Sequence, residues 1–484
     1  MKYFFTVTII IFCFSFSVFA QQPKSEIRAI WLTTNYGLDW PGKPAKTQAD
    51  VEKQKAELCD ILDKVKRANL NIVFLQTRLR GDVIYPSKIE PQSSHISNSS
   101  FRKSFYYDPL EFAIEACHER GLECHAWFVT YPMGTSVSKK QKNNTLLQRH
   151  EGEYYLDPGI PETRTYLYAL IDEIVLNYDI DGFHFDYVRY PDNADAFPDK
   201  KTFNKYGNKN SLKNWRRENI NQFVYQAYDR IKYAKPWVQV SSSVVGMYER
   251  VSNKNAYRTA FSGVYQDPAD WVAKGKHDFI VPMMYYSDDL FFPFIENWVT
   301  RCNGRWIVPG IGVYRLDKKD KDWDVKIILD QIAYSRDNQA GGNAYFRAQQ
   351  LIENQKDVLS QIETQFYQYP ATLPPLVWLD SIPPVKPLVP SAVREKDAML
   401  LSWEKSQDID EEIYYNIYCS ETYPIDMENP KNLLRTRLLG TELSVPIQKE
   451  KEYGYYYAIT ASDRFHNESI ISEPVYFCVG DFEK

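Results

Sequence analysis

The chain has 484 residues, of which 44% are hydrophobic and 25% are charged, a composition that fits a folded globular protein and excludes disordered or fibrous classes. Its 58 basic and 63 acidic residues give a net charge of -5, so nothing in the charge balance favours a nucleic-acid partner. Because a domain usually has about 100 to 200 residues and barrels can be longer, the length predicts two domains.

The first 20 residues predict a secretory signal peptide. Lys2 precedes an apolar run at residues 3–19, and Ala20 provides a small residue at the expected cleavage site. A retained membrane anchor is the alternative, but an anchor needs about 20 apolar residues, and threonine and serine interrupt this run. We therefore expect a periplasmic or extracellular protein with no stable membrane span after cleavage.

Short apolar runs alternate with amphipathic helical patterns from Glu26 to about Ala348, which is typical of repeated βα units. The predicted strands are residues 27–33, 71–76, 123–128, 182–186, 239–244, 279–284, 306–312 and 342–346. A doubly wound sheet is the alternative, but it usually has fewer units and a phosphate-binding glycine turn. The pattern therefore predicts an α/β protein with a (β/α)8 TIM barrel within residues 21–369.

Residues 370–390 form a proline-rich segment, which predicts an extended, semi-rigid linker with few contacts to either side. Residues 391–484 then alternate between apolar and polar positions in short runs, the pattern of a β-sandwich. The strand around Trp403, the tyrosine-rich run at 414–418 and the segment at 458–464 resemble a fibronectin type III module. We therefore expect a separable second domain that can be deleted without loss of barrel folding.

The strongest candidate for a catalytic group lies in the string DGFHFDYVRYP at residues 181–191. Strand alternation places Gly182, His184 and Asp186 on one side and the phenylalanines on the other. Buried polar groups cost free energy unless they are hydrogen-bonded, and barrel enzymes keep their reactive groups at the C-terminal strand ends. We expect Asp186 to be catalytic, His184 to orient it, and Arg189 to continue the polar cluster. A purely structural polar plug is the alternative.

Other predicted strand ends carry residues of the same chemical kind. The predicted substrate-binding residues are Trp31, Gln76, Arg78, His125, Trp127, His184, Arg189 and Tyr285. Arg78 could instead close the barrel through an ion pair, and His125 could be an ordinary core histidine. Trp127 and Tyr285 could stack on sugar rings or serve packing alone.

Four segments resemble glycosyl-hydrolase-like family ten, once labelled domain of unknown function 187. They are RAIWLT at 28–33, NIVFLQTR at 71–78, DPLEFAIEACHERGLECHAWF at 108–128 and DGFHFDYVRYP at 181–191. The resemblance implies a barrel that acts on N-acetylated glycans, including peptidoglycan glycan strands, and that is similar to the glycan-cleaving domain of poly-N-acetylglucosamine export proteins. Many relatives have two adjacent aspartates where this chain has Asp186-Tyr187, so any second acid must come from elsewhere.

Several common catalytic motifs are absent. The sequence has no GxSxG, HExxH, P-loop or GxGxxG motif, and Cys117-His118 with Cys124-His125 lacks convergent zinc-ligand spacing, so no cofactor or metal is predicted. A secreted barrel with a strand-end carboxylate favours glycoside hydrolysis of a polysaccharide or oligosaccharide. We expect Asp186 to be the acid/base, with Asp288 or the substrate's acetamido group as the second participant. A catalytically silent glycan-binding barrel is the alternative.

Overall fold

The structure is a computed structural model that describes residues 22–98, 107–137, 144–207, 209–251, 258–408, 412–447 and 454–478. The predicted signal peptide at residues 1–20 lies outside the described residues.

Eight parallel strands form a closed barrel, which confirms the predicted fold. In chain order they are Ile27–Leu32, Ile72–Arg78, Glu123–Val129, Gly182–Asp186, Gln239–Val245, Phe279–Met283, the two segments Trp306–Ile307 and Gly310–Ile311, and Gly342–Tyr345. The eighth strand closes the barrel by pairing with the first, so that Tyr345 lies opposite Ile30. The predicted seventh strand is interrupted at Pro309, whose nitrogen has no hydrogen to donate to a neighbouring strand.

Helices follow the strands and cover the outside of the barrel. Their bounds are Gln48–Arg67, Pro109–His118, Pro161–Asn177, Lys200–Tyr206, Leu212–Ala234, Ala260–Gly263, Pro268–Ala273, Asp288–Val299, Val325–Asp337, Ala348–Ile352 and Val358–Gln365. Thr47 and Asp50 form a reciprocal capping box at the first helix, and Asp108 caps the second. No helix in the described ranges is both long enough and apolar enough to cross a bilayer.

Strand alternation divides the barrel core into two layers. Trp31, Phe74 and Trp127 belong to the cluster that fills the barrel interior. Phe183 and Phe185 of the fourth strand pack in the larger cluster between the strands and the helices. The fourth strand therefore turns its polar residues inward, as its sequence predicted.

A small antiparallel sheet is inserted after the third barrel strand, where the sequence pattern had not predicted one. Its strands are Pro132–Gly134, Leu147–His150 and Glu153–Leu156, with the last one in the middle. Because it follows a C-terminal strand end, this sheet lies at the barrel mouth and adds side chains to the candidate site.

The C-terminal part contains two antiparallel sheets, which confirms the predicted sandwich. One sheet has the strands Leu388–Glu395, Ala398–Glu404 and Glu442–Pro446, and the other has Leu433–Leu438, Tyr414–Ser420, Tyr455–Ser462 and Val475–Phe477. Leu401, Trp403 and Ile417 belong to a separate hydrophobic core between them. The first strand begins inside the predicted linker, and the likeness to fibronectin type III stays a prediction.

The expectation that the proline-rich segment makes few contacts is wrong. The backbone N–H of Thr372 donates to the carbonyl of Lys24 (2.9 Å), which ties the segment to the chain ahead of the first strand. Leu376 is fully buried, and Trp378 Nε1–H donates to Asp278 Oδ1 (2.9 Å) on the barrel. The segment contains a turn at residues 377–379 and lies packed on the barrel base.

The sandwich is joined to that base by buried charges. Arg437 of the sandwich forms ion pairs with Asp181 and with Glu123 (3.3 Å), at the N-terminal ends of the fourth and third barrel strands. His466 Nε2 lies 2.7 Å from Glu123 Oε1. Gly121 has no room for a side chain, since a Cβ there would lie 2.7 Å from the carbonyl oxygen of Thr436. The two domains therefore share a close interface, and deletion of the sandwich would expose unpaired acidic groups.

Candidate active site

Asp186 is the last residue of the fourth barrel strand and is 5% exposed. Trp127 Nε1–H donates to Asp186 Oδ2 (3.1 Å), and the backbone N–H of Tyr187 donates to Oδ1 (2.7 Å). Tyr187 has a φ of 51°, in the left-handed region that residues with side chains rarely adopt. The strand thus ends in a strained turn whose N–H fixes the carboxyl group.

The surroundings of Asp186 favour its protonated form. Burial raises the pKa of Asp186 above its ordinary value, while the positive charges of Arg189 and Arg80 act in the opposite direction. A carboxyl group that holds its proton to higher pH is suited to general acid catalysis.

His184 lies one layer below and is fully buried. Its Nε2 accepts from Trp31 Nε1–H (3.0 Å) and lies 2.7 Å from Ser243 Oγ, while Nδ1 lies 2.8 Å from Ser241 Oγ. Burial holds the pKa of His184 well below its usual value, and the nearby His125 adds to this effect, so the ring is neutral. His184 therefore anchors the barrel interior, whereas the residue that directly orients Asp186 is Trp127.

His125 lies in the layer below the mouth. Its Nε2 lies 3.0 Å from Glu123 Oε2, and the ring is fully buried. A Cβ at residue 182 would lie 2.2 Å from His125 Nδ1, so only glycine fits at Gly182. The structure thus places His125 in the core beneath the site.

Gln76 ties down the loop that follows the first barrel strand. Its Oε1 accepts from Thr33 Oγ1 (2.5 Å) and from the backbone N–H groups of Thr34 (3.1 Å) and Asn35 (3.2 Å). Gln76 is buried, and its side chain holds this loop in place at the mouth.

Arg78 forms a buried ion pair that closes the upper end of the second strand. Its Nε donates to Glu90 Oε2 (2.8 Å) and its Nη2 to Glu90 Oε1 (2.6 Å), and both side chains are 0% exposed. A further bond goes from Nη1 to the carbonyl of Thr130 (2.8 Å). These bonds direct the guanidinium away from open space, which corresponds to the ion-pair alternative considered for this residue.

Two other arginines lie at the rim beside Tyr187. The guanidinium of Arg189 is 4.6 Å from the centre of the Tyr187 ring, and that of Arg80 is 5.8 Å from it. Arg189 also pairs with Asp192 (3.0 Å), and Arg80 pairs with Glu153 (2.9 Å) of the small sheet. The strand-four end is therefore held between two cations, each with its own carboxylate partner.

Tyr285 follows the sixth barrel strand and is half-buried. Its ring stacks on Phe346 (5.5 Å between centres) and meets Tyr314 edge-on (5.6 Å). Burial raises the pKa of Tyr285 well above its ordinary value, and the nearby Tyr314 and Asp186 add to this effect. Tyr285 therefore remains a protonated hydroxyl at the barrel mouth. Asp288 begins the helix that follows, and its side chain lies outside the described part of the structure.

A cavity of about 690 Å³ opens beside this site. Its lining comes from the loops after the fourth to seventh strands and includes Asp192, Met247, Arg258, Tyr286 and Arg315. The ion pairs of Asp192 with Arg189 and Arg258 connect the cavity wall to the strand-four end. The cavity has the volume of a small-molecule site, and Asp192 joins its wall to the loop that follows Asp186.

Several residues of the site were not predicted from the sequence. Ser241 and Ser243 bind His184 from the fifth strand, and the serine run at 241–243 inside an otherwise apolar strand was the available signal. Arg80 and Glu153 meet only because of the inserted small sheet. Within the described ranges, no cluster of three or more metal-binding side chains is present.

A closed (β/α)8 barrel with a buried, hydrogen-bonded carboxyl group at its mouth has the architecture of a glycoside hydrolase-like protein. The model of the family described as glycosyl hydrolase-like 10 matches residues 26–297, and the chain belongs to this family. The resemblance proposed from the four sequence segments is therefore confirmed.

Curated relatives match most of the chain. It is 31% identical to "Glycosyl hydrolase YngK" of Bacillus subtilis, over 97% of both chains. It is also 31% identical to "Glycosyl hydrolase DigH" of Escherichia coli, over 63% of this chain and 77% of the relative. Among solved structures, the PgaB (BpsB) glycoside hydrolase domain from Bordetella bronchiseptica has a TM-score of 0.52 at 15% identity and covers 71% of this chain and 99% of that one. This last likeness concerns the fold.

Proposed function

We propose that the protein is a secreted glycoside hydrolase that cleaves N-acetylated glycan chains, such as peptidoglycan glycan strands or N-acetylglucosamine polymers, in the periplasm or outside the cell. The observation that supports this best is the Asp186 carboxyl group at the barrel mouth, which is buried, has a raised pKa, and is held by Trp127 and the N–H of Tyr187. The family and its relatives named as glycosyl hydrolases support the same reaction class.

Asp186 serves as the acid and then as the base. In the first step its proton passes to the glycosidic oxygen while the bond from that oxygen to the anomeric carbon breaks. In the second step the carboxylate removes a proton from water, whose oxygen bonds to the anomeric carbon.

The second participant is the acetamido group of the substrate. Its carbonyl oxygen attacks the anomeric carbon as the leaving group departs, and the later attack of water reopens the ring that this forms. Tyr285 supports this choice, because it follows the sixth strand at the same mouth and its raised pKa keeps its hydroxyl protonated. Asp192 and Glu153, two other carboxylates at the rim, are already paired with arginines.

The test is to incubate the protein with N-acetylglucosamine polymers and with peptide-free peptidoglycan and to identify the products by mass spectrometry. Asp186→Asn should fold normally and lose 10²- to 10⁴-fold in turnover, since it keeps the volume but removes the acid. Asp157→Asn is the matched control, because Asp157 is also buried with a raised pKa but binds Thr202 and Gln148.

Turnover by Asp186→Asn within threefold of wild type would exclude Asp186 as the acid. Equal cleavage of fully deacetylated and acetylated chains would exclude participation of the acetamido group. Binding of oligosaccharides with no product from the wild type would instead support the glycan-binding barrel expected as the alternative.

A further inference from the structure

Tyr36 is an exposed aromatic residue at the barrel mouth that the proposed reaction does not use. It lies in the loop after the first strand, and 70% of its surface is exposed. Its only described ring neighbour is His95, which it meets at 69° with 5.2 Å between ring centres. One face of a large ring is therefore open to solvent where a substrate would enter.

The loop that carries Tyr36 is fixed although the ring is exposed. Gln76 Oε1 accepts from the N–H of Asn35 (3.2 Å), and Asp39 Oδ2 accepts from the N–H of Thr33 (2.9 Å). Tyr36 itself has a φ of 56°, a left-handed conformation that favours glycine. A bulky residue held in such a conformation by its surroundings is a pattern found at ligand-binding sites.

Tyr36 is also connected to the residues around Asp186. Burial acts to lower the pKa of Arg80, but Tyr187, Glu153 and Tyr36 lie close enough to raise it above its ordinary value. Tyr187, whose backbone is also left-handed, has its ring centre 5.8 Å from the same guanidinium. Tyr36 and Arg80 therefore lie on the same side of the mouth, in the loops after the first and second barrel strands.

The barrel geometry places this side of the mouth opposite the large cavity. In an eight-stranded barrel the first and second strands lie across from the fifth and sixth. The cavity of about 690 Å³ is lined from the fourth to the seventh strand, whereas Tyr36 and Arg80 follow the first and second. The mouth therefore has an exposed aromatic ring on one side and a cavity on the other.

We propose that Tyr36 stacks on a sugar ring distant from the cleaved bond, so that the mouth binds an extended glycan chain across Asp186 and acts within the chain. This inference rests on the proposed function and names its mode of action. The ligand is a neutral pyranose ring such as N-acetylglucosamine, because the open face of a tyrosine suits the apolar face of a sugar. On this proposal, a hexasaccharide bound at Asp186 reaches Tyr36 and a disaccharide does not, which the affinities of the two oligomers test directly.

The experiment measures the affinity of N-acetylglucosamine oligomers of two to six sugars by calorimetry, with Asp186→Asn as the background to prevent cleavage. Tyr36→Ala and Tyr36→Gly should lower the ratio of hexamer affinity to dimer affinity about tenfold, and Tyr36→Phe should preserve it. Tyr36→Gly also suits the left-handed backbone, so an unchanged or higher melting temperature separates lost stacking from misfolding. Tyr233→Ala is the matched control, since Tyr233 is 93% exposed on the outer helix Leu212–Ala234.

If the ratio of hexamer to dimer affinity stays within twofold of that of Asp186→Asn alone for both Tyr36→Ala and Tyr36→Gly, the inference is overturned. The absence of any oligomer binding would also overturn it. If wild type cleaves glycans while the ratio does not move, the inference fails and the proposed hydrolase stands. If wild type gives no products but hexamer binding depends on Tyr36, the inference stands as a binding site and the proposed hydrolysis fails.

Discussion

Arg437→Leu should destabilise the whole protein, because Arg437 is the cation that neutralises two buried carboxylates at the base of the barrel. Its guanidinium pairs with Asp181 and Glu123 and lies 3.8 Å from the centre of the Tyr414 ring. Burial alone would raise the pKa of Asp181, yet Arg437 and His118 hold it far below its usual range. The network thus keeps Asp181 ionised in an apolar setting.

The size of the expected destabilisation follows from the burial of the two carboxylates that Arg437 pairs with. Removing one member of a buried ion pair costs about 3 to 5 kcal/mol, since the remaining charge stays buried without its partner. Asp181 would retain only His118 (2.8 Å) and the N–H of Cys124 (2.8 Å) as described partners. A loss of this size is a large part of the roughly 5 to 15 kcal/mol by which folded proteins are stable.

The assay is urea unfolding followed by tryptophan fluorescence. Lys386→Gln is the control, because Lys386 pairs with Glu473 (3.2 Å) at an exposed position where such pairs contribute about 1 kcal/mol or less. In the double variant Arg437→Leu/Asp181→Asn the two losses should be less than additive, since both changes break one interaction. If Arg437→Leu lowers the free energy of unfolding no more than Lys386→Gln does, the reasoning is refuted and the sandwich docks weakly on the barrel.

Three further outcomes are expected. Arg189→Gln should move the alkaline limb of kcat/KM to higher pH, because the charge of Arg189 opposes the burial that raises the pKa of Asp186; an unmoved limb would contradict this. Burial lowers the pKa of His277 from 6.5 to about 4, so the folded protein favours the neutral ring. The stability that this neutral ring contributes is fully present above pH 6.5 and is lost as the pH falls towards 4. His277→Gln should therefore flatten the decline in Tm over that range, and an equally steep decline would argue against a neutral His277. Tyr285→Phe should lower kcat about 100-fold on acetylated chains, as the loss of one polar donor does in other active sites, and unchanged kcat would remove Tyr285 from the reaction.

The barrel strands could be predicted because the alternation of inward and outward residues can be read within each short stretch of sequence. The run at 182–186 shows this, since its alternation alone placed Phe183 and Phe185 outside and His184 and Asp186 inside. Irregular pairing between strands was harder to predict. The pairing of the second and third strands shifts register between Gln76 and Arg78, and this shift changes the direction of the Arg78 side chain. Such a shift depends on the neighbouring strand, which a single sequence does not show.

Contacts between distant segments were beyond the sequence argument for the same reason. Prolines at 370–390 predicted an extended chain, but not the turn at residues 377–379 or the surface against which the segment lies. Arg437 is one of many basic residues, and nothing in its neighbourhood in sequence distinguishes it from an exposed one. Only the fold brings Arg437 to Glu123, about 300 residues earlier in the chain.

The fourth strand contains one reactive group among polar residues that serve structure. Asp181 at its start is bound by His118 and Arg437, and His184 in its middle is bound by serines of the next strand and by an indole. Hydrogen bonds and ion pairs offset the desolvation of these inward polar groups, so burial does not require a catalytic role for them. Asp186 differs, because it lies at the mouth, beside a cavity, with a carboxyl group that burial makes easier to protonate. The structural polar plug and the catalytic acid are therefore successive parts of one strand, and position along the barrel axis separates them.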